Sequence, residues 1–170
     1  PLWPKPLPNH WVIGSTIGVS VDSRDHVFVI HRQASIDANT ELNVLHEPAS
    51  AECCAPAPPV LEFDPEGNLV GWWGGPGDGY DWPSSNHGIT VDHMDNVWIG
   101  GNGPDDGHIL KFTRDGNFLL QLGRPGVGTG SNDPENFGRV AEVSIDLGGD
   151  EVFVADGYLN RRVAVLDIQT

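Results

Sequence analysis

The chain repeats itself, and any fold must reconcile the copies. Ile17-Gly18-Val19-Ser20-Val21-Asp22 recurs as His87-Gly88-Ile89-Thr90-Val91-Asp92 and again as Ala141-Glu142-Val143-Ser144-Ile145-Asp146. After each copy come a short polar turn and an apolar run, at residues 27–30, 97–99 and 152–154. A third apolar run follows at 60–64, 109–113 and 163–167. In the first two copies a Gly-Asn turn (Gly67-Asn68 and Gly116-Asn117) leads into a fourth run, at 69–72 and 118–121. Runs of four to six residues rich in Val, Ile and Phe, divided by Asp, Asn and Gly, favour strands. No stretch holds a 3.6-residue apolar period long enough to argue for a helix.

Each unit therefore reads strand, turn, strand, loop, strand, turn, strand. The aligned Asp22, Asp92 and Asp146 are 70 residues apart (22 to 92) and then 54 (92 to 146). The wider spacing reflects a Pro/Ala-rich insertion at 33–59. Four-stranded units at this spacing predict an all-β chain of β-propeller blades. Blade 1 covers about 17–74, blade 2 about 87–123, and blade 3, incomplete, about 141–170. Propellers close with ~4–8 blades, and an open one exposes a sheet edge and a flank of core. The remaining blades are expected from a longer chain or from self-assembly. The start at Pro1, without an initiator Met, fits a removed leader or a fragment.

Nine Lys and Arg against 24 Asp and Glu give a net charge of −15. That balance argues against nucleic acid or an anionic membrane surface as partner, since phosphates reward basic residues. No apolar run approaches the ~20 residues of a membrane-spanning helix. The two cysteines, Cys53 and Cys54, are adjacent and cannot close a long loop. Two free thiols, a vicinal disulfide or a soft-metal site are the open readings. The Gly-rich stretch at Gly123, Gly126, Gly128 and Gly130 has no Lys-Ser/Thr after it, so it is not a phosphate loop. No Gly-x-Ser-x-Gly elbow is present to support a serine hydrolase.

The repeats resemble NHL repeats, and three segments narrow the resemblance. Gly18-Val19-Ser20-Val21-Asp22 leading to His31-Arg32, then His87-Gly88-Ile89, then Asp156-Gly157-Tyr158-Leu159-Asn160-Arg161-Arg162 are similar, in order and spacing, to motifs of the peptidyl-α-hydroxyglycine α-amidating lyase family. The resemblance implies the N-terminal half of a six-bladed ring, located outside the cell or in the periplasm. It implies zinc held by three histidines, of which this chain has His87, and calcium held partly by the backbone carbonyls of Val19 and Ile89. It implies Arg32 and Tyr158 as active-site residues, and a small-molecule or peptide substrate. Where the family pairs a cysteine just after the tyrosine, this chain has Leu159.

The repeat offers its own test of these residues. His87 aligns with Ile17 and Ala141, Arg32 with Asn102 and Gly157, and Tyr158 with Gly103. None is demanded by the fold. A neutral imidazole suits zinc, and catalytic zinc commonly takes three protein ligands and leaves one position open. An arginine can hold a carboxylate or a developing oxyanion, and a tyrosine needs nearby positive charge to give up its proton. His31 is expected to pack. His10, His26, His46, His93 and His108 lack ligand spacing and are expected on the surface. Trp72, Trp73 and Trp82 read as packing between blades. A non-catalytic NHL propeller that binds a protein or small ligand is the rival reading.

Overall fold

The structure is a computed structural model that describes residues 2–37, 41–42, 46–50, 52–146 and 148–169. Thr170, the expected end of the third unit, and residues 38–40, 43–45 and 51 of the insertion lie outside the described residues. The fold is all-β, with one 3-10 turn at Gln33–Ser35 among the described residues.

A first sheet is formed by β2 (Ser15–Val21), β3 (Val27–Arg32), β5 (Val60–Phe63) and β6 (Leu69–Trp73), in that spatial order and antiparallel throughout. The second repeats it with β7 (Asn86–Val91), β8 (Val97–Gly101), β9 (His108–Phe112) and β10 (Phe118–Gly123). The third has β11 (Val140–Ile145), β12 (Glu151–Asp156) and β13 (Arg162–Asp167). Two short strands, β1 (Trp11–Val12) and β4 (Ala55–Pro56), pair in parallel.

The recurring Asp is a turn device. Asp22 Oδ1 accepts the backbone N–H of Arg24 (2.8 Å) and His26 (2.9 Å), and Asp92 Oδ1 accepts those of Met94 and Asn96 (both 2.9 Å). Such side-chain caps stand in for backbone partners and fix the reversal between first and second strands. At the Gly-Asn turns, Gly67 and Gly116 hold φ of +81° and +82°, a region where a side chain is strained.

The first strands lie side by side. A Cβ on Gly18 of β2 would sit 2.9 Å from the Ile89 nitrogen of β7, and one on Gly88 would sit 3.2 Å from the Ala141 carbonyl oxygen of β11. The Ser20 hydroxyl accepts the Val91 N–H (2.9 Å), and the aligned Thr90 hydroxyl donates to the Val143 carbonyl. Val19, Ile89 and Val143 hold matching register positions, opposite Val29, Ile99 and Val154.

Packing follows from strand alternation. Phe28, Ile30 and Val60 meet Ile99, Leu110 and Phe112 between the first and second sheets. Trp98 and Ile109, pointing the other way, meet Val143, Val152 and Val154 between the second and third. The second sheet is thus covered on both faces, which is why β8 and β9 are buried at every residue. Burying one such side chain is worth about 1.5–3 kcal/mol. Leu7, Trp11 and Ala57 cover the outer face of the first sheet. On the third sheet only one face is covered: β13 alternates, leaving Val163 and Val165 exposed. Trp73 and Trp82 pack near Phe112, whereas Trp72 is half exposed against Trp11. Cys53 and Cys54 are disulfide-bonded to each other.

Candidate functional site

His87 lies in the first strand of the second sheet, and Tyr158 in the loop that leaves the second strand of the third. Antiparallel pairing brings both to the end of the molecule opposite the Asp22 and Asp92 turns. The Tyr158 loop is anchored from beneath by Asp156, which is fully buried. Its carboxylate accepts Gly138 N–H (2.6 Å), Asn160 Nδ2 (2.8 Å) and Arg162 Nε (2.8 Å). The backbone N–H of Tyr158 donates to the Arg139 carbonyl at 3.3 Å.

The half-buried His87 ring is held at both nitrogens. Nδ1 lies 2.8 Å from the Ala141 carbonyl oxygen. A carbonyl only accepts, so Nδ1 carries the hydrogen and Nε2 the lone pair. Tyr158 Oη stands 3.0 Å from that Nε2, and the rings meet at 70° with centroids 5.4 Å apart. Tyr158 is otherwise half exposed.

Arg32 reaches across from the first sheet. Its Nε donates to the Asn86 carbonyl (3.2 Å), and a terminal nitrogen donates to Asn102 Oδ1 (2.9 Å). Asn86, the neighbour of His87, returns its Nδ2 to the His31 carbonyl (3.1 Å). Arg32 lines a cleft of about 400 Å³ with Pro59, Trp82, Ser84 and Asn86, and neither His87 nor Tyr158 lines that cleft. The structure thus joins His87 to Tyr158 directly, and Arg32 to His87 only through Asn86. Val19 and Ile89 stand on adjacent first strands below.

His31 is fully buried. Its Nδ1 accepts the Gly14 N–H (3.1 Å) and its Nε2 faces the Pro58 carbonyl (3.0 Å). Burial pushes its pKa below the ordinary histidine value, against the opposing pull of backbone hydrogen bonds. It is a packing residue. His10 and His93 are exposed and His46 is half-buried. His108 corrects the surface expectation: it is 1% exposed, because it opens β9, the strand covered on both sides. Its Nε2 faces the Asp81 carbonyl at 2.7 Å.

His26 is the second correction. It is half-buried, with Nδ1 2.6 Å from Glu62 Oε1. Asp22, His26 and Glu62 bring ligand-type atoms within 4.8 Å of one another. The Arg114 guanidinium enters the same space and ion-pairs both Asp22 and Glu62. A cation already balances the carboxylates, so the geometry is that of a buried ion-pair network across the first two sheets.

No family model matches the chain. It is 28% identical over 177 residues to peptidyl-alpha-hydroxyglycine alpha-amidating lyase 1 of Drosophila melanogaster, a match spanning 95% of this chain and 28% of the fly protein. The chain therefore spans just over a quarter of that relative's length. Among solved structures, a gluconolactonase from Xanthomonas campestris is similar with a TM-score of 0.48 and 14% identity, over 85% of this chain and 36% of that one. The described residues contain no helix long and apolar enough to cross a membrane.

Sequence reasoning missed Arg114 and the placements of His26 and His108. Arg114 follows β9 within an ordinary Thr-Arg-Asp-Gly-Asn turn. No local pattern there signals that its side chain crosses to another sheet. His108 carried a weak signal, since it directly precedes the apolar Ile109-Leu110 that opens the third-strand run of the second unit.

Proposed function

We propose that this chain supplies the first three blades of an NHL-type propeller of six. The complete ring would be a carbon–nitrogen lyase that splits a carbinolamide, such as a peptidyl-α-hydroxyglycine, into an amide and glyoxylate. The Tyr158–His87 contact carries the reading: two residues that the repeat does not require, 71 positions apart, meet at 3.0 Å. Similarity to the fly lyase along 95% of the chain supports it.

His87 is suited to supply one zinc ligand. Its Nδ1–H is oriented by a backbone carbonyl, as ligating imidazoles characteristically are, so Nε2 would be the donor atom. Zinc would take the lone pair that here accepts the Tyr158 hydroxyl, with that hydroxyl turning toward substrate. No other His, Cys, Asp or Glu among the described residues completes a three-ligand group with it. The remaining ligands are assigned to blades beyond this chain. Bound zinc would supply Lewis acidity and lower the pKa of a coordinated hydroxyl. In this reading Tyr158 would exchange a proton at Oη with the substrate hydroxyl, and Arg32, from its neighbouring cleft, would swing its guanidinium toward a substrate carboxylate. On the same reading the Val19 and Ile89 carbonyls, on neighbouring first strands, would hold part of a calcium site. The natural setting would be extracellular or periplasmic, with a small-molecule or peptide substrate.

The test is the longer protein carrying all its blades. Zinc content and glyoxylate release are measured for the wild type and for His87→Ala. Loss of both in the variant supports the lyase. Full zinc content in His87→Ala sinks it, and ligand capture without glyoxylate favours the binding-module reading.

A further inference from the structure

A cavity of about 360 Å³ lies between the loop before β9 and the long connection from β10 to β11. Gly107, Gly126, Gly128 and Gly130 wall it with Phe137 and Leu159, and Arg139 lines it. None of His87, Tyr158 and Arg32 lines this space.

Arg139 is unlike its counterparts: the aligned positions hold Ser15 and Ser85. Its backbone sits at φ +67°, where Gly or Asn is more at ease. Two hydrogen bonds hold it there, from its own N–H to the Asp106 carbonyl (3.1 Å) and from the Tyr158 N–H to its carbonyl (3.3 Å). Yet among the described residues the guanidinium forms no ion pair or hydrogen bond, and Nε is sealed from water without a partner. A buried donor left unpaired is costly.

The neighbouring carboxylates are already engaged. Asp106 accepts Ser84 N–H, Ser84 Oγ, Ser85 N–H and Gly103 N–H. Asp156 accepts Gly138, Asn160 and Arg162. Asp105 is exposed at the rim, where solvent screens it.

We propose that this cavity binds a carboxylate, with the Arg139 guanidinium as its charge partner. A planar, singly charged carboxylate matches one guanidinium fork. A doubly charged phosphate would need more cation than one arginine provides, in a chain of net charge −15. The carboxylate can belong to a free organic acid or to a peptide C-terminus. The proposal is independent of the lyase reading, because it requires neither zinc nor catalysis.

The experiment titrates the protein, at constant ionic strength, with butyrate, with a tripeptide bearing a free C-terminus, and with the same tripeptide amidated. Binding is followed by calorimetry and by the Nε–H resonance of Arg139. The expected result is saturable binding of butyrate or of the free tripeptide, whichever is the source, with movement of that resonance and no binding of the amide. Arg139→Asn, which tolerates the left-handed backbone and so keeps the fold, should weaken binding at least tenfold, with Arg139→Lys intermediate. No binding of either acid overturns the proposal. So does equal binding to Arg139→Asn, or an amide that binds as well as the acid.

Discussion

The Tyr158 hydroxyl lies 3.0 Å from Nε2 of His87, bridging the second and third sheets. Because Nδ1–H is committed to the Ala141 carbonyl, the tyrosine donates and the imidazole accepts. Substitutions of the two residues should therefore separate. On the proposed lyase reading, Tyr158→Phe in the longer protein is expected to keep zinc and lower the rate of glyoxylate release by ~10²–10⁴-fold, the usual share of a general acid–base group. His87→Ala is expected to lose zinc as well. Metal analysis beside single-turnover rates distinguishes the two.

His31 predicts a pH dependence of stability. Its folded pKa is held below the ordinary value by burial. The unfolded chain takes up a proton near pH ~6.5 and the folded chain does not. The stabilisation is therefore complete above about pH 6.5 and is lost as pH falls from there toward the folded pKa. Urea unfolding of the wild type should show this decline. In His31→Gln the same window should be flatter, though the variant starts from lower stability.

Arg114→Met should be among the more damaging surface-loop changes. It leaves Asp22 and Glu62, whose side chains are 0% and 9% exposed, without the cation that spans them. Removing one partner of a buried ion pair costs about 3–5 kcal/mol. A double-mutant cycle with Glu62→Gln should recover part of the loss, since one of the stranded charges is then absent. Denaturant midpoints provide the measurement.

The close approach of β2 and β7 can be probed at Gly18. A side chain there meets the Ile89 nitrogen at 2.9 Å. Gly18→Val should cost about 1–3 kcal/mol through overpacking. Gly157→Ala is the control: its Cβ would have no neighbour within 4 Å, so the change should stay within about 0.5 kcal/mol. Equal losses at the two positions would count against the tight strand contact.

The all-β class and the strands of the three repeated units, in their order, were determined by the repeat alone; the parallel β1–β4 pair, which lies outside the repeat, was not. Hydrophobic alternation and turn chemistry act over a few residues, so Asp22, Asp92 and Asp146 announce their reversals locally, and Gly67 and Gly116 do the same. The same copies singled out His87, Arg32 and Tyr158 as residues that no strand required. What these residues touch was decided by tertiary structure. His87 meets Tyr158 because the second and third sheets pack through Trp98, Ile109 and Val154. Arg32 reaches Asn86 and Asn102 because the first and second sheets pack through Ile30 and Ile99. Arg114 meets Asp22 and Glu62, and Arg139 is left without a partner, for the same reason. Contacts between sheets depend on how whole faces fit together, and side-chain packing of that kind has no period along the chain.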